Sequence, residues 1–447
     1  MTIQGPGPEG LQRIIFSIHE LKPVKNWRSC DPRRQHRSTA ELIGWLATIP
    51  SSSDDCLQAT IVIPDDTRPL RPTTILPPLL GAISEAASRR GAPVKVTVLV
   101  ATGLHQNPGP PFREELQRAL EPFAGHTMLS TDVQFHDAQT TERLQRTLNP
   151  LVTRPQSGGQ ADCVITVGLV EPHQYAGFSG GSKALTIGCG ASSTIASLHS
   201  LQMLRKPGVT IGEVSRNPFR KELDRVARQH AAPTFELCLV PNPDGKGIAG
   251  FYAGPPGRPY KSAVHLARQL LMAPLGRQFD FALISVPDAK SQNFYQASRA
   301  LTYLALHPNP CIRPKGTLVL QAQCPDAYGT SAGEEAFRRA LGRGRRRLLA
   351  ELQGKAEPPP GLTGGAQRAY VLAVALTRFR CVLIGAPPLP EAQRAGLKQY
   401  DSIEDVMLAG DGLIVDDPFV MMPYHDEAGA SVDRLVTLSD RPAQRTA

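Results

Sequence analysis

Three short segments of the sequence carry side chains that can move protons or bind anions. They are Asp65-Asp66-Thr67-Arg68, Thr102-Gly103-Leu104-His105 and Glu171-Pro172-His173, and each follows a run of β-branched residues. In open α/β sheets, ligands bind beyond the carboxyl ends of the strands. A single strand-end aspartate is more often a helix cap, and a single histidine is more often a structural residue. Because three such segments would meet at one sheet edge, we predict a site for acid–base chemistry there.

A glycine-rich turn follows the third segment. It reads Ala176-Gly177-Phe178-Ser179-Gly180-Gly181-Ser182-Lys183, and its bare backbone can approach a phosphate or a planar cofactor closely. A Walker A loop requires a glycine directly before its lysine and Ser or Thr directly after it. Here Ser182 precedes Lys183 and Ala184 follows it, which argues against a kinase or an ATPase.

A further histidine lies beyond this turn. The segment from Thr194 to His199 has the pattern of a helix, so the imidazole of His199 can face back over the glycine-rich turn. A neutral imidazole can bind zinc, copper, iron or nickel. One helical histidine without a second ligand three or four residues away cannot hold a metal alone. We therefore expect any metal at His199 to share its remaining ligands with a cofactor.

The residues around these segments predict a parallel sheet. Short β-branched runs alternate with helical patterns from Gln58 onward, which is typical of βαβ units. The predicted strands are 60–63, 94–100 and 163–167. A helix is predicted over residues 74–90, and Gly91 stands at its C-cap.

A second α/β series begins near Phe279. Its predicted elements are the strands 281–286, 317–321, 381–385 and 413–415 and the helices 293–307 and 366–378. The stretch 357–365 is rich in proline and glycine, so it is predicted to be a loop. The chain is longer than one hydrophobic core usually supports, and we place a domain boundary near residues 272–278.

The fold that we predict is therefore two α/β domains with largely parallel sheets and a cleft between them. The N-terminal domain covers residues 56–275 and the C-terminal domain covers residues 276–430. Residues 1–55 form an arm or lead-in, and residues 431–447 form a tail. A cleft between domains is a common place for a small-molecule site.

The composition limits the class of protein. Of the 447 residues, 41% are hydrophobic and 20% are charged. We find neither an apolar run near the roughly 18 residues of a membrane helix nor a signal-peptide pattern, and we expect a cytoplasmic protein without a membrane partner. The eight cysteines include no C-x-x-C pair, so neither a zinc knuckle nor a disulfide framework is indicated.

The formal charge of +9 suggests an anionic partner. Positive residues cluster at residues 33–37 and 338–347, and neither cluster is interleaved with aromatic residues. The second cluster could contact nucleic acid, but a solvated helix face or loop explains it more simply. We therefore expect a small anionic ligand rather than a nucleic acid.

The motifs together resemble those of the nickel-dependent lactate racemase family. That family has the strand-end patterns D-x-T-R, A-T-G-x-H and P-H-x-x-A-G-F-S-G-G-x-K, followed by a ligand histidine. Here they stand, in order, as Asp65 to Arg68, Ala101 to His105, Pro172 to Lys183, and His199. The segments Asn217-Pro218-Phe219-Arg220 and Tyr295-Gln296-Ala297-Ser298-Arg299 are also similar to family motifs. The resemblance covers roughly residues 57–430.

The resemblance implies a nickel-pincer nucleotide as cofactor. This is a pyridinium mononucleotide (nickel pyridinium-3,5-bisthiocarboxylic acid mononucleotide) whose two sulfur-containing arms and ring carbon hold nickel. His199 would be the nickel ligand from the protein. Lys183 matches the position at which some members bind the cofactor covalently, and Asp65, Asp66, Thr67 and Arg68 match its binding loop. Proteins that synthesise the cofactor would then be partners.

The resemblance also implies the reaction, which is racemisation or epimerisation of a 2-hydroxy acid, lactate-like or larger. His105 and His173 match two acid/base positions, which suits inversion of a carbinol because each face needs a proton acceptor. One histidine takes the hydroxyl proton as hydride moves to the cofactor, and the resulting 2-oxo acid is reduced from its other face. Gln296 and Arg299 match the positions that bind the substrate carboxylate.

The sequence departs from the family pattern at several of these positions. Arg299 stands where lysine is common, and it replaces a point charge with a planar bidentate donor. Ile187-Gly188 replaces the usual Pro-Gly after the glycine-rich turn, and Gln106-Asn107 follows His105 where a basic residue is common. These changes leave the identity of the acid open.

Two other functions compete with this prediction. The chain could bind the nickel-pincer cofactor without catalysis, in which case it would hold nickel but exchange no hydroxy acid. A nicotinamide-dependent dehydrogenase is disfavoured, because no G-x-G-x-x-G follows the first predicted strand.

Overall fold

The computed structural model describes residues 11–12, 32–52, 56–243, 247–359 and 364–426. Its strands are β1 (Leu11–Gln12), β2 (Leu57–Pro64), β3 (Val94–Ala101), β4 (Leu129–Phe135), β5 (Cys163–Leu169), β6 (Pro172–His173), β7 (Gly177–Phe178), β8 (Thr234–Pro241), β9 (Ile248–Gly254), β10 (Met272–Leu275), β11 (Phe279–Ser285), β12 (Ile312–Gln321), β13 (Arg380–Ile384), β14 (Lys398–Tyr400), β15 (Gly412–Asp416) and β16 (Met422–His425).

Helices connect most of these strands. They are α1 (Pro32–Thr48), α2 (Pro72–Arg90), α3 (Pro110–Leu120), α4 (Ala138–Arg143), α5 (Lys183–Thr186), α6 (Ser192–Leu198), α7 (Leu201–Leu204), α8 (Pro218–His230), α9 (Arg258–Leu271), α10 (Asp288–Ser291), α11 (Phe294–Leu306), α12 (Ala332–Gly342), α13 (Arg345–Leu352), α14 (Gln367–Arg378) and α15 (Pro390–Ala395). None of the helices in the described ranges is long and apolar enough to span a membrane.

The first sheet has six strands in the order β4-β3-β2-β5-β8-β9. All neighbours are parallel except β8 and β9, which are antiparallel. The strands β2, β3 and β5 are almost entirely buried, as strands covered by helices on both faces must be. In the register, Pro64 pairs with Ala101, so β2 and β3 end level with each other. Asp65 and Thr102 therefore begin their segments side by side at one sheet edge.

The second sheet also has six strands, in the order β1-β15-β11-β12-β13-β14. Every neighbouring pair in it is parallel. A separate parallel pair joins β10 to β16. The predicted α/β fold with largely parallel sheets is confirmed. The predicted helices 74–90, 293–307 and 366–378 correspond to α2, α11 and α14, and Gly91 caps α2 at a φ of 67°.

The two halves of the chain share a hydrophobic core. Leu198, Leu204 and Phe219 from the first half pack in one cluster with Phe294 and Leu301 of α11. Hydrogen bonds cross the same interface. They are Thr302 Oγ1 to Gln174 Oε1 at 3.1 Å, Tyr303 Oη to the Pro172 carbonyl at 3.3 Å, and Thr210 Oγ1 to the Leu306 carbonyl at 3.0 Å. The helix α11 is thereby fixed against the segment that contains His173.

The predicted lead-in is not wholly separate from the fold. Leu42, Ile43 and Leu46 of α1 are buried in the core of the first sheet. Downstream, the arginine-rich segment 338–347, predicted as a helix face or loop, lies on α12 and α13 with residues 343–344 between them. The boundary predicted near residues 272–278 coincides with β10 and stays a prediction. The predicted loop 357–365 lies partly, and the tail 431–447 wholly, outside the described residues.

Candidate active site

Asp65 and His105 form a hydrogen-bonded pair at the end of β2 and β3. Nδ1 of His105 lies 2.7 Å from Oδ2 of Asp65. The carboxylate side chain is 5% exposed, whereas the imidazole is 58% exposed and can reach a ligand. Burial raises the pKa of Asp65, but the hydrogen bond and charge of His105, with a 2.5 Å bond from Thr67 Oγ1, outweigh it and hold the pKa below its ordinary value. An ionised carboxylate only accepts, so Nδ1 carries the proton and Nε2 is free to take another.

In His173, the two ring nitrogens have the opposite roles to those in His105. It lies on the hairpin of β6 and β7, and its Nδ1 accepts hydrogen bonds from the backbone N–H of Tyr175 at 3.3 Å and of Ala176 at 3.1 Å. An acceptor nitrogen carries no proton, so the neutral ring is protonated at Nε2. Burial, followed by the charges of Lys183 and Arg68, lowers the pKa of His173 well below its ordinary value. Neutral His173 therefore presents an N–H donor.

The motif Asn217 to Arg220 holds the glycine-rich turn in place. Buried Arg220 donates to the carbonyl oxygens of Gly180 at 3.1 Å and Phe178 at 2.6 Å, and its guanidinium lies 4.4 Å from the centroid of the Tyr260 ring. Asn217 caps α8 with its Oδ1 and donates from Nδ2 to the Tyr175 carbonyl at 2.7 Å. The motif thus acts on the turn through its carbonyl groups.

Gly177 is required by close packing within the turn. Its φ is +75°, and a Cβ at this position would lie 1.9 Å from the carbonyl oxygen of Glu213. No L-residue with a side chain fits there without displacement of the backbone. The glycine therefore sets the path by which the chain passes from His173 to Lys183.

Lys183 begins α5 at the end of the turn. Burial, together with the charges of Arg68 and Arg220, lowers the pKa of its amine to about 7, while Asp65 acts in the opposite direction. A large fraction of the amine is consequently neutral at physiological pH. A neutral amine is a nucleophile, which suits a residue that forms a covalent bond with a cofactor.

His199 follows directly on α6 and caps it. Its Nδ1 donates to the Ile195 carbonyl at 2.9 Å, and its ring contacts Tyr175 and Phe219 edge to face. Burial lowers the pKa of His199 to about 4, so the ring is neutral and its Nε2 lone pair is available to a metal. Within the described ranges, no group of three or more His, Cys, Asp and Glu side chains is arranged to hold a metal ion. His199 could supply one ligand to a metal carried by a cofactor.

Arg68 is paired across the sheet edge. Its Nη1 lies 2.9 Å from Oε2 of Glu171, the first residue of the third chemical segment. The sequence placed Glu171 at a strand end but gave it no role. The ion pair fixes the guanidinium beside His173 and Lys183, whose pKa values it lowers. Asp66 and Thr67, which precede Arg68 in the chain, are exposed to solvent.

Arg299 and Gln296 reach the site from the second half of the chain. Arg299 donates to Gln296 Oε1 at 3.4 Å and to Tyr303 Oη at 3.3 Å, and it lies 5.0 Å from the centroid of the Phe419 ring. Its charge lowers the pKa values of both His173 and Lys183. The structure therefore brings the predicted residues of both halves into one electrostatic cluster.

Several residues of this cluster were not predicted from the sequence. Arg368, in the first turn of α14, stacks on the Tyr295 ring at 3.7 Å and donates to the Tyr295 carbonyl at 3.0 Å. Lys290 lies on α10, and burial with the charges of Arg299 and Arg68 lowers its pKa to about 8. The hydroxyl of Tyr175 is buried and has no hydrogen-bond partner among the described residues. Only the strand-end position of Lys290 is visible in the sequence.

Part of the chain matches a known protein-family model. Residues 50–212 match the family model described as the lactate racemase N-terminal domain. The predicted resemblance to the lactate racemase family is confirmed. The matched residues contain Asp65, His105, His173, Lys183 and His199.

Two curated relatives are named lactate racemase. The one from Thermoanaerobacterium thermosaccharolyticum is 24% identical over 288 residues, which is 62% of this chain and 62% of that protein. The one from Lactiplantibacillus plantarum is 27% identical over 274 residues, which is 60% of this chain and 61% of that protein. The alignments thus span about three fifths of each lactate racemase.

Solved structures with a similar fold superpose on more of the chain. The lactate racemase apoprotein from Thermoanaerobacterium thermosaccharolyticum superposes with a TM-score of 0.65 at 18% identity, over 85% of this chain and 88% of that one. A protein from Thermotoga maritima superposes with a TM-score of 0.59 at 16% identity, over 88% of this chain and 98% of that one. At these identities, the likeness establishes the fold across both halves of the chain.

Proposed function

We propose that the protein is a cytoplasmic isomerase that racemises or epimerises a 2-hydroxy acid. The observation that carries this proposal is that His105 and His173 carry their protons on opposite ring nitrogens. The imidazole of His105 offers a free Nε2, and that of His173 offers an Nε2–H. His173 interacts with Lys183 and Arg299, and His105 joins this cluster through its partner Asp65. Hydride transfer from a carbinol carbon needs a base for the hydroxyl proton, and a hydrogen-bond donor stabilises the negative charge on the oxygen.

The substrate in this proposal is a small 2-hydroxy acid, lactate-like or larger. Its carboxylate binds to Arg299, which has no carboxylate partner in the described part of the chain, with Gln296 beside it. Lactate is the acid in the names of the curated relatives. A guanidinium binds a carboxylate through two parallel hydrogen bonds, so it fixes the orientation of the acid as well as its charge.

The cofactor in this proposal is the nickel-pincer nucleotide, and the residues present suit it. His199 keeps Nε2 free because Nδ1 is bound to the Ile195 carbonyl, which is the arrangement of a histidine that ligates a metal. Lys183 offers a partly neutral amine as a covalent anchor. Asp65, Asp66, Thr67 and Arg68 form the loop beside it. The chemistry that such a cofactor supplies when bound is reversible acceptance of hydride from the carbinol carbon.

The protein's own residues transfer the hydroxyl proton and orient the substrate. His105 takes the hydroxyl proton at Nε2, and the Asp65 carboxylate stabilises the imidazolium that results. Arg299 holds the carboxylate while the 2-oxo acid exposes its other face. After reduction, His105 returns this proton to the oxygen, and neutral His173 donates a hydrogen bond from Nε2–H to the oxygen while it carries negative charge. Proteins that synthesise the cofactor act upstream as partners.

The test is configurational exchange by protein purified from a host that makes the cofactor. Intact mass and nickel content are measured first, and each enantiomer of lactate and of larger 2-hydroxy acids is then followed by chiral chromatography. We expect exchange by the loaded protein and its loss in His105→Gln and in His173→Gln. His265→Gln, an exposed histidine on α9, is the matched control and should retain exchange. Stoichiometric nickel without exchange of any acid would favour a non-catalytic cofactor-binding protein.

A further inference from the structure

The candidate active site holds more positive charge than one carboxylate requires. Arg299, Arg368 and Lys290 are all half-buried, and none has a carboxylate oxygen within 4 Å among the described residues. Arg68 differs, because its charge is balanced by Glu171. Like charges that are partly withdrawn from water repel one another, so their grouping is unfavourable unless an anion joins them.

The two arginines belong to one site. Both guanidiniums interact with the same three phenols, Tyr175, Tyr295 and Tyr303, and the charge of Arg299 lowers the pKa of Arg368. Their helices, α11 and α14, pack side by side. The guanidinium of Arg299 lies over the rings of Tyr303 and Phe419, whereas that of Arg368 lies over the ring of Tyr295. Two separate guanidinium donors are therefore presented from two directions.

The hydroxyl of Tyr175 is an uncharged hydrogen-bond donor at the same site. Tyr175 is 3% exposed, and its hydroxyl finds no hydrogen-bond partner among the described residues. Its ring is edge to face with both His173 and His199, at centroid distances of 5.9 Å and 5.8 Å. A buried hydroxyl without an acceptor costs free energy, and an anion that enters the site would supply the acceptor.

From this geometry we propose that the acid is a 2-hydroxydicarboxylate, whose first carboxylate pairs with Arg299 and whose distal carboxylate pairs with Arg368 and the Tyr175 hydroxyl. This inference rests on the proposed function for the reaction itself. Lys290 adds a third positive charge at the edge of the site, beside Glu171. A monocarboxylate substrate would supply no second carboxylate for Arg368 and the hydroxyl of Tyr175.

The test compares malate with lactate as probes of two and one carboxylates. In loaded protein, we expect a higher kcat/KM for malate, and we expect Arg368→Gln to reduce the malate-to-lactate ratio of kcat/KM by about 30-fold, the effect of removing one member of a desolvated charge pair. Arg368→Lys should restore part of this ratio, and Tyr175→Phe should lower it by a smaller factor. Arg346→Gln removes an equal charge from the exposed face of α13 and is the matched control.

Calorimetry on the protein without cofactor separates this inference from the proposed function. We expect malate to bind more tightly than lactate, and Arg368→Gln to abolish the difference, even if no acid is exchanged. Circular dichroism and thermal melts establish that each variant is folded. Equal binding of malate and lactate would overturn the inference. It would also be overturned if Arg368→Gln weakened binding of inorganic phosphate and left the malate preference intact, since Arg368 would then serve a phosphate group.

Discussion

Oδ2 of Asp65 lies 2.7 Å from Nδ1 of His105, and this contact fixes which nitrogen of the imidazole faces the ligand. An asparagine at residue 65 would offer an amide that can donate to Nδ1, which would move the proton to Nε2 and remove the base. We expect Asp65→Asn to lower kcat by about 10²- to 10⁴-fold with the fold intact. Chiral exchange assays measure the loss, and activity within threefold of the parent would contradict the role given to Asp65.

The same contact predicts a dependence of stability on pH. The pKa of Asp65 in the folded protein lies below its ordinary value of 3.8, so its contribution to stability is present above pH 3.8 and is lost as the pH falls through the lower folded value. Acid unfolding of Asp65→Asn should therefore lack this component. Thermal melts of both proteins between neutral and acidic pH would show the difference shrinking as the pH falls.

The opposite tautomers of His105 and His173 can be observed directly. Nδ1 of His173 accepts from two backbone N–H groups, so we expect the proton on Nε2 in His173 and on Nδ1 in His105. Long-range ¹⁵N–¹H NMR of histidine-labelled protein distinguishes these forms, and His105→Gln and His173→Gln assign the signals. Because burial lowers the pKa of His173, its signals should stay those of a neutral ring at pH 6. The same tautomer in both rings would contradict the division of roles.

Lys183 should react with amine-directed reagents at unusually low pH. Burial and the charges of Arg68 and Arg220 lower the pKa of its amine to about 7, and only the neutral amine is nucleophilic. We expect its rate of acetylation, followed by peptide mass spectrometry in protein without cofactor, to rise with a midpoint near pH 7.

The variant Arg68→Gln removes one of these charges, so the midpoint for Lys183 should move upward. Arg346→Gln, at an exposed position on α13, should leave it in place. A midpoint near the ordinary lysine value of 10.5 in the parent protein would show that Lys183 is not buried among these charges.

The parts of the fold that the sequence predicted are those encoded by local patterns. The strands β2, β3 and β5 consist mostly of consecutive buried residues, and α2 ends at a glycine whose backbone is in the left-handed region. Strand-end positions then predicted Asp65, His105 and His173. The edge strand β4 was missed because four of its seven residues are polar, which leaves too few apolar residues for a clear strand pattern.

Other features of the site depend on contacts that no local pattern records. Arg368 lies in the first turn of a helix and meets Tyr295 only because α14 packs on α11. The hydroxyl of Tyr175 could be recognised as unpartnered only once its surroundings were known. The tautomer of His173 depends on the backbone of the two residues that follow Gln174, which the hairpin of β6 and β7 orients.

Gly177→Ala should destabilise the fold by about 2 kcal/mol or more. The new Cβ would lie 1.9 Å from the Glu213 carbonyl oxygen, at a φ of +75° that L-residues rarely adopt. The displaced turn should also weaken exchange activity, since it connects His173 to Lys183. Gly81→Ala on the exposed side of α2 is the control, because nothing lies within 4 Å of its Cβ and a helix interior favours alanine. Denaturant unfolding should show destabilisation by the first change and slight stabilisation by the second.

We expect the arginine-rich segment 338–347 to have a structural role, because two of its arginines bind the carboxylate of Glu351. Glu351 is fully buried and accepts from Arg343, from Arg347 Nε at 2.6 Å and from Tyr370 Oη at 2.7 Å. Removing one member of a buried ionic network leaves the others unpaired, so Glu351→Ala should cost about 3 to 5 kcal/mol of unfolding free energy.

The control for Glu351→Ala is Glu114→Ala, at an exposed position on α3, which should change the free energy of unfolding by no more than about 0.5 kcal/mol. Urea unfolding of both variants measures the difference. If Glu351→Ala were as mild as its control, the arginines would not depend on this carboxylate, and their charge would be available to an external anion. A large loss instead means that Arg343 and Arg347 share the buried carboxylate of Glu351, so the number of arginines in this segment overstates its attraction for nucleic acid.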